Sequence, residues 1–181
     1  MDENKCKYHP SEIEAILRSL VVLVDTREQD TARARRRYES FGIPFERKAL
    51  KFGDYSAKMK TANGEEISLE NAVAIERKMN LDELCNCFCQ GRERFKREFQ
   101  RATAAGAHIY LLIENDSLDN AYSGRYRSRM NPKSLTASIF AWCIEFNIVP
   151  MFISAERSGQ VIHDILYREA KWFLESEVMT E

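Results

Sequence analysis

The sequence predicts a single α/β domain with a central mixed sheet, a β-hairpin and helices on both faces. Two continuous apolar runs, at 20–25 and 108–114, have the composition of strands that are buried on both faces. Amphipathic segments alternate with such runs, which is the order expected when helices cover a partly parallel sheet. Asn63-Gly64 is a strong signal for a hairpin turn. A chain of 181 residues is long enough to bury a substantial core.

The first half of the chain supplies the hairpin. Ser11, followed three residues later by Glu14, predicts a capped helix over 11–19. The elements expected next are a strand at 20–25, a helix at 29–41 closed by Gly42, strands around 45–50 and 55–61, and AVAIE at 72–76 as the returning partner strand.

The second half alternates helices with strands. The elements expected there are helices LDELCNCFCQ and GRERFKREFQRATAAG within 81–106, a strand at 108–114, a long polar loop at 115–132, a helix at 134–146, a strand at 148–154 and a helix at 159–175. We interpret residues 1–19 as an N-terminal extension helix and residues 20–181 as one domain.

Charge is unevenly distributed although the formal net charge is only −1. Residues 27–60 contain ten Lys and Arg against five acids, and residues 91–133 contain nine against five. One basic face of a nearly neutral molecule is suited to a polyanion. Solvated helix faces explain such runs equally well, so charge alone leaves both interpretations open.

The cellular context predicted from the sequence is the cytoplasm. Residues 1–10 lack the apolar centre of a cleavable signal, and no run approaches the roughly 18 apolar residues of a membrane span. The cysteines are five, an odd number, and Cys85-x-Cys87-x-Cys89 lacks the Cys-x-x-Cys spacing of zinc sites. We therefore expect free thiols and no membrane partner.

Three acidic residues stand at the ends or edges of predicted strands: Asp25, Asp54 and Glu76. Lys78 follows Glu76 by two residues, so on an extended chain both side chains leave the same face. Carboxylates that converge on one point repel each other unless a hard cation lies between them, and Mg²⁺ prefers such oxygens. A nearby lysine can orient a water molecule for attack on a phosphate. Strand ends capped by charge are the alternative, and for Asp25 alone that alternative is favoured.

These residues also resemble a known family. GD at 53–54 followed by ERKMNLD at 76–82 is similar to the GD…ERKxxxD motif of the XPF-type, or ERCC4-domain, structure-specific DNA endonucleases. VDTRE at 24–28, GRERFKREFQRA at 91–102 and YLLIE at 110–114 resemble further segments of that family. The resemblance covers roughly residues 20–170 and implies the restriction-endonuclease-like fold, with 20–181 as a single ERCC4-type nuclease domain.

The resemblance implies a role for each motif residue. Asp25, Asp54 and Glu76 would bind Mg²⁺ or Mn²⁺, and Lys78 would position the attacking water or act as general base. Arg77 would contact phosphate or brace the site. Glu28 and Asp82 would support or tune the site, and Asp82 would hold Arg77 or Lys78. The residues that would contact DNA are Arg27, Arg92, Arg125, Arg127 and Arg129. A first-turn helix acid is an equally good interpretation of Asp82.

We expect no counterpart of the family's tandem helix-hairpin-helix domain after residue 175. DNA would then be held by the nuclease domain, by a dimer mate or by another protein. The loop at 115–132 interleaves tyrosines with arginines, which suits a distorted or single-stranded backbone, although a mobile surface loop is as good an interpretation. The resemblance also implies a homodimer formed through the C-terminal helices. The side chains that would supply its apolar surface are Phe140, Trp142, Phe146, Trp172 and Phe173, although burial within the monomer accounts for most of them equally well.

The leading hypothesis is a metal-dependent DNA endonuclease that hydrolyses phosphodiester bonds, at branched DNA or at junctions of single and double strands, in a compact bacterial or phage member of the family. The alternative is a catalytically silent DNA-binding or scaffold subunit of a repair or recombination complex. A third possibility is a sequence-specific restriction enzyme on the same fold.

Overall fold

The computed structural model describes residues 7–176 and has a mixed seven-stranded sheet at its centre. The strands are β1 Val21–Asp25, β2 Phe45–Lys48, β3 Tyr55–Lys60, β4 Glu66–Ser68, β5 Val73–Lys78, β6 His108–Glu114 and β7 Ile148–Ile153. Their order is β2-β1-β3-β5-β6-β7, and β4 pairs with β3 outside this path. Pairs that include β3 are antiparallel, whereas β1 with β2, β5 with β6 and β6 with β7 are parallel. The predicted mixed sheet is confirmed.

Helices cover both faces of this sheet. They are α1 Pro10–Leu17, α2 Ala32–Glu39, α3 Leu81–Cys89, α4 Arg92–Ala104, α5 Leu118–Ser123, α6 Pro132–Phe146 and α7 Ser158–Ser176. The apolar sides of α1, α2 and α7 form one core cluster, and those of α3, α4, α5 and α6 form the other. On β6, Leu112 enters the first cluster while Leu111 and Ile113 enter the second, which explains its uninterrupted apolar sequence.

The predicted start of α1 is wrong by two residues. His9, not Ser11, is the N-cap, and Glu12 completes the capping box by accepting a hydrogen bond from the His9 backbone N–H at 2.7 Å. Pro10 takes the first helical position, where its missing N–H costs nothing. The apolar side of α1 packs into the same core cluster as α7.

The hairpin differs from the prediction in its second strand. After the turn at 63–64, β4 pairs with β3, and β5 pairs with β3 on the opposite side. The short segment β4 has no long apolar run, so nothing in its composition announces a strand. The predicted antiparallel pairing of AVAIE with the strand around 55–61 is nevertheless present.

The aromatic surface predicted for a dimer is partly internal. Trp142 and Phe146 lie in the core with α3 and α4, because they occupy the face of α6 that covers the sheet. Phe173 is half-buried, whereas Phe140 and Trp172 are exposed.

Candidate active site

The three predicted carboxylates start from the same level of three neighbouring strands. Val24 of β1 pairs with Tyr55 of β3, and Tyr55 pairs with Ile75 of β5. The next residues on these strands are Asp25, Asp54 and Glu76. The sheet therefore brings together residues that lie up to 51 positions apart in the sequence.

Gly53 allows β3 to approach β5 closely at this point. It has φ +72°, and a Cβ atom there would lie 3.2 Å from the Ile75 carbonyl oxygen and 3.3 Å from the Ala74 Cβ. A larger residue would have to adopt a left-handed backbone and displace β5. Glycine before Asp54 thus has a steric reason, independent of any motif.

Asp54 and Glu76 form an acidic pair, in which Glu76 is buried and Asp54 is half-buried. Asp54 Oδ2 accepts a hydrogen bond from the Arg77 backbone N–H at 2.8 Å, and Glu76 Oε1 accepts one from Lys78 at 2.6 Å. Within residues 7–176 the second oxygen of each carboxylate has no hydrogen-bond donor. Burial, and then repulsion from Glu76, raises the pKa of Asp54 well above its usual range. Burial also raises the pKa of Glu76, with Lys78 opposing the shift.

Lys78 is held beside this pair. Its Nζ lies 2.6 Å from Glu76 Oε1 and 4.9 Å from the centroid of the Phe95 ring, so the cation has a carboxylate on one side and a ring face on another. Burial alone would lower the pKa of Lys78, but attraction to Glu76 and Asp54 outweighs burial and raises it. These neighbours favour the charged ammonium form of Lys78.

A cleft of about 830 Å³ opens over these residues, and its outer wall is basic. Arg94, Arg97 and Arg101 of α4 line it, because their spacing places them on one side of the helix while Phe95 and Phe99 enter the core. Arg33 of α2 lines the opposite side. Arg33, Arg94 and Arg97 are exposed and have no ion-pair partner in the described part of the chain.

Beneath the cleft, Arg77 belongs to a buried ionic network. Its Nε donates to Glu28 Oε1 at 3.1 Å, and its Nη1 donates to Glu114 Oε2 at 3.3 Å. Arg37 lies 3.2 Å from the other oxygen of Glu114, and it donates to the Tyr55 hydroxyl, which in turn donates to Glu28. Arg77 thus ties the end of β5 to Glu28 and to the end of β6 at Glu114.

The sequence analysis missed three members of this network: Arg37, Tyr55 and Glu114. One signal was available. Glu114 ends a buried apolar strand on a carboxylate, as Asp25 does at the end of β1. Glu28 also lines the cleft, and its charge repels Asp54.

The carboxylate of Asp25 does not line the cleft. Its Oδ1 accepts from the Arg27 backbone N–H and from Arg27 Nε, both at 2.7 Å, and its Oδ2 accepts from Leu50 N–H at 2.7 Å and from Arg27 Nη2 at 3.2 Å. Although burial opposes the change, these hydrogen bonds from Arg27 and Leu50 lower the pKa of Asp25. Both oxygens are thus committed to structure, unlike those expected of a metal ligand.

Asp82 holds a different partner from the one expected. Its Oδ1 accepts from the backbone N–H groups of Arg127 at 2.7 Å and Ser128 at 2.8 Å, and its Oδ2 accepts from Arg127 Nε at 3.1 Å. It contacts neither Arg77 nor Lys78. The distant segment after α5 was not foreseeable as its partner, because no local spacing relates the two.

The predicted loop at 115–132 is interrupted by α5, which Ser117 caps.

The predicted DNA contacts fall in different places. Arg27 lines the cleft, although it is tied to Asp25 and Glu98. Arg92 does not line the cleft, and its guanidinium lies 5.4 Å from the centroid of the Trp142 ring. The arginines of α4 that line the cleft are Arg94, Arg97 and Arg101. Arg125 and Arg127 line a neighbouring cleft, and Arg129 is exposed.

The donor set at Asp54 and Glu76 fits a magnesium-like cation. Within residues 7–176 no group of three or more His, Cys, Asp or Glu side chains is arranged to hold a metal ion. Mg²⁺ is commonly bound by only one or two carboxylates, with water and substrate phosphate completing its shell. Two carboxylates that repel each other, each with one oxygen lacking a donor, meet that requirement.

Comparison with known proteins decides the family. The family model described as the ERCC4 domain matches residues 24–163, well over half of the chain. The chain belongs to the ERCC4-domain family. All of Asp25, Asp54, Glu76, Lys78 and Asp82 lie within the matched range of the ERCC4 domain, whereas α1 precedes it.

The fold is shared with XPF from Aeropyrum pernix. One such structure has a TM-score of 0.58 at 22% identity over 81% of this chain and 63% of that chain. XPF from Aeropyrum pernix in complex with DNA has a TM-score of 0.57 at 23% identity over 82% and 63%. The ERCC4 chain described here thus spans less than two thirds of the length of those chains, and the likeness establishes the XPF-type fold predicted from the motif. The curated proteins include no match to this sequence.

Membrane insertion of helices finds no support in the described part of the ERCC4 chain. None of its helices between residues 7 and 176 combines the length and apolar character that crossing a bilayer demands.

Proposed function

We propose that this ERCC4-domain protein is a divalent-metal-dependent endonuclease that hydrolyses phosphodiester bonds of DNA, at branched structures or at junctions of single and double strands. The observation that carries the proposal is the acidic pair of half-buried Asp54 and buried Glu76 beside Lys78, in a cleft that arginines also line. Membership of the ERCC4 family and the XPF-type fold support the same conclusion. The finer substrate preference comes from the family resemblance of the motif.

Asp54 and Glu76 would hold Mg²⁺ or Mn²⁺ through the oxygens that lack a donor. Bound there, the ion would lower the pKa of a coordinated water and neutralise charge on the phosphate. Asp25 is left out of the proposed ligand set, because both of its oxygens accept hydrogen bonds from Arg27 and Leu50.

The chain's own side chains would bind and orient the substrate. Arg94 and Arg97, exposed and without ion-pair partners in the described region, would bind phosphates on either side of the scissile bond. Lys78, held protonated by its carboxylate neighbours, would donate a hydrogen bond that orients the attacking water or steadies a phosphoryl oxygen. Arg77 would keep the end of β5 in place through Glu28 and Glu114.

A cleavage assay tests the proposal. Purified protein is incubated with labelled flap, fork, four-way junction and intact duplex DNA, with Mg²⁺, with Mn²⁺ or with EDTA. We expect metal-dependent cutting of a branched substrate, with the rate reduced at least about 100-fold in Glu76→Gln and Asp54→Asn. Arg157→Gln, an exposed change outside the cleft, is the matched control.

Two outcomes would replace the proposal. If the wild type binds all four substrates but cuts none, and Glu76→Gln binds equally well, the chain is a catalytically silent DNA-binding or scaffold subunit. If it cuts intact duplex at one short sequence, it is a sequence-specific restriction enzyme.

A homodimer is part of the proposal. Phe140 and Ile144, one turn apart on α6, are exposed, with Ile144 84% accessible, as is Trp172 on α7. Sedimentation of the wild type and of Ile144→Glu tests it. A wild-type dimer that becomes monomeric in the variant supports the proposal, and a wild-type monomer at all concentrations contradicts it.

A further inference from the structure

A second cleft adjoins the candidate active site. It has a volume of about 480 Å³, and Arg33 and Met79 line both clefts, so the two clefts are neighbours. Its lining also includes Asp82, Asp116, Arg125, Tyr126 and Arg127. A volume of this size lies near the lower end of ligand sites, roughly 300–1,000 Å³, and suits one or two nucleotides better than a duplex.

One wall of this cleft is the segment 124–131, which Asp82 fixes in place. In addition to the three hydrogen bonds to Asp82, the Tyr126 hydroxyl donates to the Met130 carbonyl at 2.8 Å. Tyr126 and Met130 pack against the core cluster of α3 and α4. The cations of the segment are therefore carried on backbone that is anchored in several places.

Side chains alternate strictly along this segment. Tyr126, Ser128 and Met130 are half-buried, whereas Arg125, Arg127 and Arg129 are exposed. The backbone here is a series of bends and not a strand, and it leaves all three arginines facing solvent. The guanidinium of Arg127 remains 88% accessible although it pairs with Asp82.

The acids of the second cleft are already satisfied by the protein. Asp82 accepts from Arg127 and Ser128, and Asp116 accepts from Leu81 N–H at 2.9 Å and from Asn120 at 3.0 Å. Arg33 and Arg125 have no ion-pair partner among residues 7–176. The lining arginines outnumber the two carboxylates: they are Arg33, Arg125 and Arg127. The cleft therefore carries a net positive charge, beside the 41%-exposed side chain of Met79 and the ring of Tyr126.

We infer that the second cleft binds a short single-stranded segment of DNA that leads away from the scissile phosphate. Arginines would bind its phosphates, and the apolar surface of Met79 and Tyr126 would contact its bases, which is how proteins hold single strands. This inference rests on the proposed nuclease function and names one arm of its substrate. Arg33 lies where the two clefts join, so the same strand would pass from one to the other.

Binding without metal tests the inference independently of cleavage. Fluorescence anisotropy in EDTA compares labelled oligo-dT of about ten nucleotides with a duplex of equal length. In the double variant Arg125→Ala/Arg127→Ala we expect at least tenfold weaker binding of the single strand and less than threefold weaker binding of the duplex. The dependence of log K on log salt should fall by about 0.7 for each lost phosphate contact. Arg36→Ala/Arg157→Ala removes two exposed charges outside both clefts and is the matched control.

The variant Asp82→Asn shows whether single-strand binding depends on the fixed backbone of segment 124–131 or only on its positive charge. The change makes the protein more positive, so a purely electrostatic surface would bind the single strand more tightly. An anchored cleft would bind it several-fold more weakly, because the backbone N–H groups of Arg127 and Ser128 lose the charged oxygen of Asp82 that accepts both of their hydrogen bonds. The melting temperature of the variant shows whether the whole domain remains folded.

The outcomes distinguish this inference from the proposed function. Unchanged single-strand binding in the double variant, or equal losses for single strand and duplex, overturns the inference and leaves metal-dependent cleavage intact. A protein that never cleaves but loses single-strand binding selectively supports the cleft and contradicts the nuclease.

Discussion

The Lys78 ammonium lies 2.6 Å from Glu76 Oε1, and the two residues are two positions apart on β5. Both side chains leave the same face of the strand, as the spacing predicts. The ring of Phe95 on α4 limits the ammonium from another side. The position of this cation is therefore set by the strand, a carboxylate and a helix together.

Replacement of Lys78 should reduce cleavage far more than DNA binding. In Lys78→Met we expect the single-turnover rate to fall about 100- to 10,000-fold, the usual range for a positioned proton donor or acceptor, while binding in EDTA changes less than threefold. Lys78→Arg should not restore the rate, because a planar guanidinium cannot replace a compact ammonium between Glu76 and Phe95. Cleavage within threefold of the wild type in Lys78→Met would contradict the proposed role.

Asp54→Asn should stabilise the protein when no metal is present. The carboxylate of Asp54 is repelled by Glu76 and Glu28, so a neutral amide of the same shape removes a destabilising interaction. We expect an increase of about 1 kcal/mol in the free energy of unfolding in EDTA, at the cost of cleavage. Thermal unfolding in EDTA and in Mn²⁺ measures this effect.

The metal response supplies the control for Asp54→Asn. Mn²⁺ should raise the melting temperature of the wild type, because an ion that binds only the native state stabilises it. The rise should be absent or much smaller in the variant. Glu156→Gln, an exposed change, should leave the stability within about 0.5 kcal/mol of the wild type and the metal response unchanged. A variant less stable than the wild type in EDTA would show that repulsion does not dominate at Asp54.

Asp25→Asn should destabilise the protein by about 2 kcal/mol near pH 7, because Asp25 accepts charge-assisted hydrogen bonds from Arg27 and Leu50. The folded pKa of Asp25 lies below its unfolded value. Its contribution is therefore complete above the unfolded pKa, near 3.9, and is lost as the pH falls through the folded pKa. The difference between wild type and variant in urea unfolding should shrink towards about pH 2.

Asp119→Asn is the matched control, since that carboxylate is exposed at the start of α5 and should change stability by less than about 0.5 kcal/mol. The Mn²⁺-induced rise in melting temperature should persist in Asp25→Asn. Loss of that rise without loss of stability would restore Asp25 to the ligand set that the sequence suggests.

The parts of the fold and site that depend on local sequence pattern could be predicted. Apolar runs locate β1 and β6, and the alternation of strands places Glu76 and Lys78 on one face. Hydrogen bonds between residues that are distant in the sequence could not be predicted. The capture of Asp25 by Leu50 N–H and the docking of segment 124–131 on Asp82 depend on how separate segments meet, and no spacing encodes them.

Gly159 is a position where an added methyl group should disrupt the packing of α7 on α2. A Cβ atom there would overlap Ser40 Oγ and the Arg37 carbonyl oxygen, and the backbone carbonyl cannot move without shifting α2. Because Arg37 pairs with Glu114, the shift would reach the network that braces Arg77. We expect Gly159→Ala to cost about 1–3 kcal/mol of folding stability, the usual range for overpacking.

Gly91→Ala is the matched control, since its added Cβ would meet its nearest atom at 3.6 Å, an ordinary contact. Urea unfolding of the two variants measures the difference, and equal stabilities would show that α2 and α7 are not packed as closely as the structure places them.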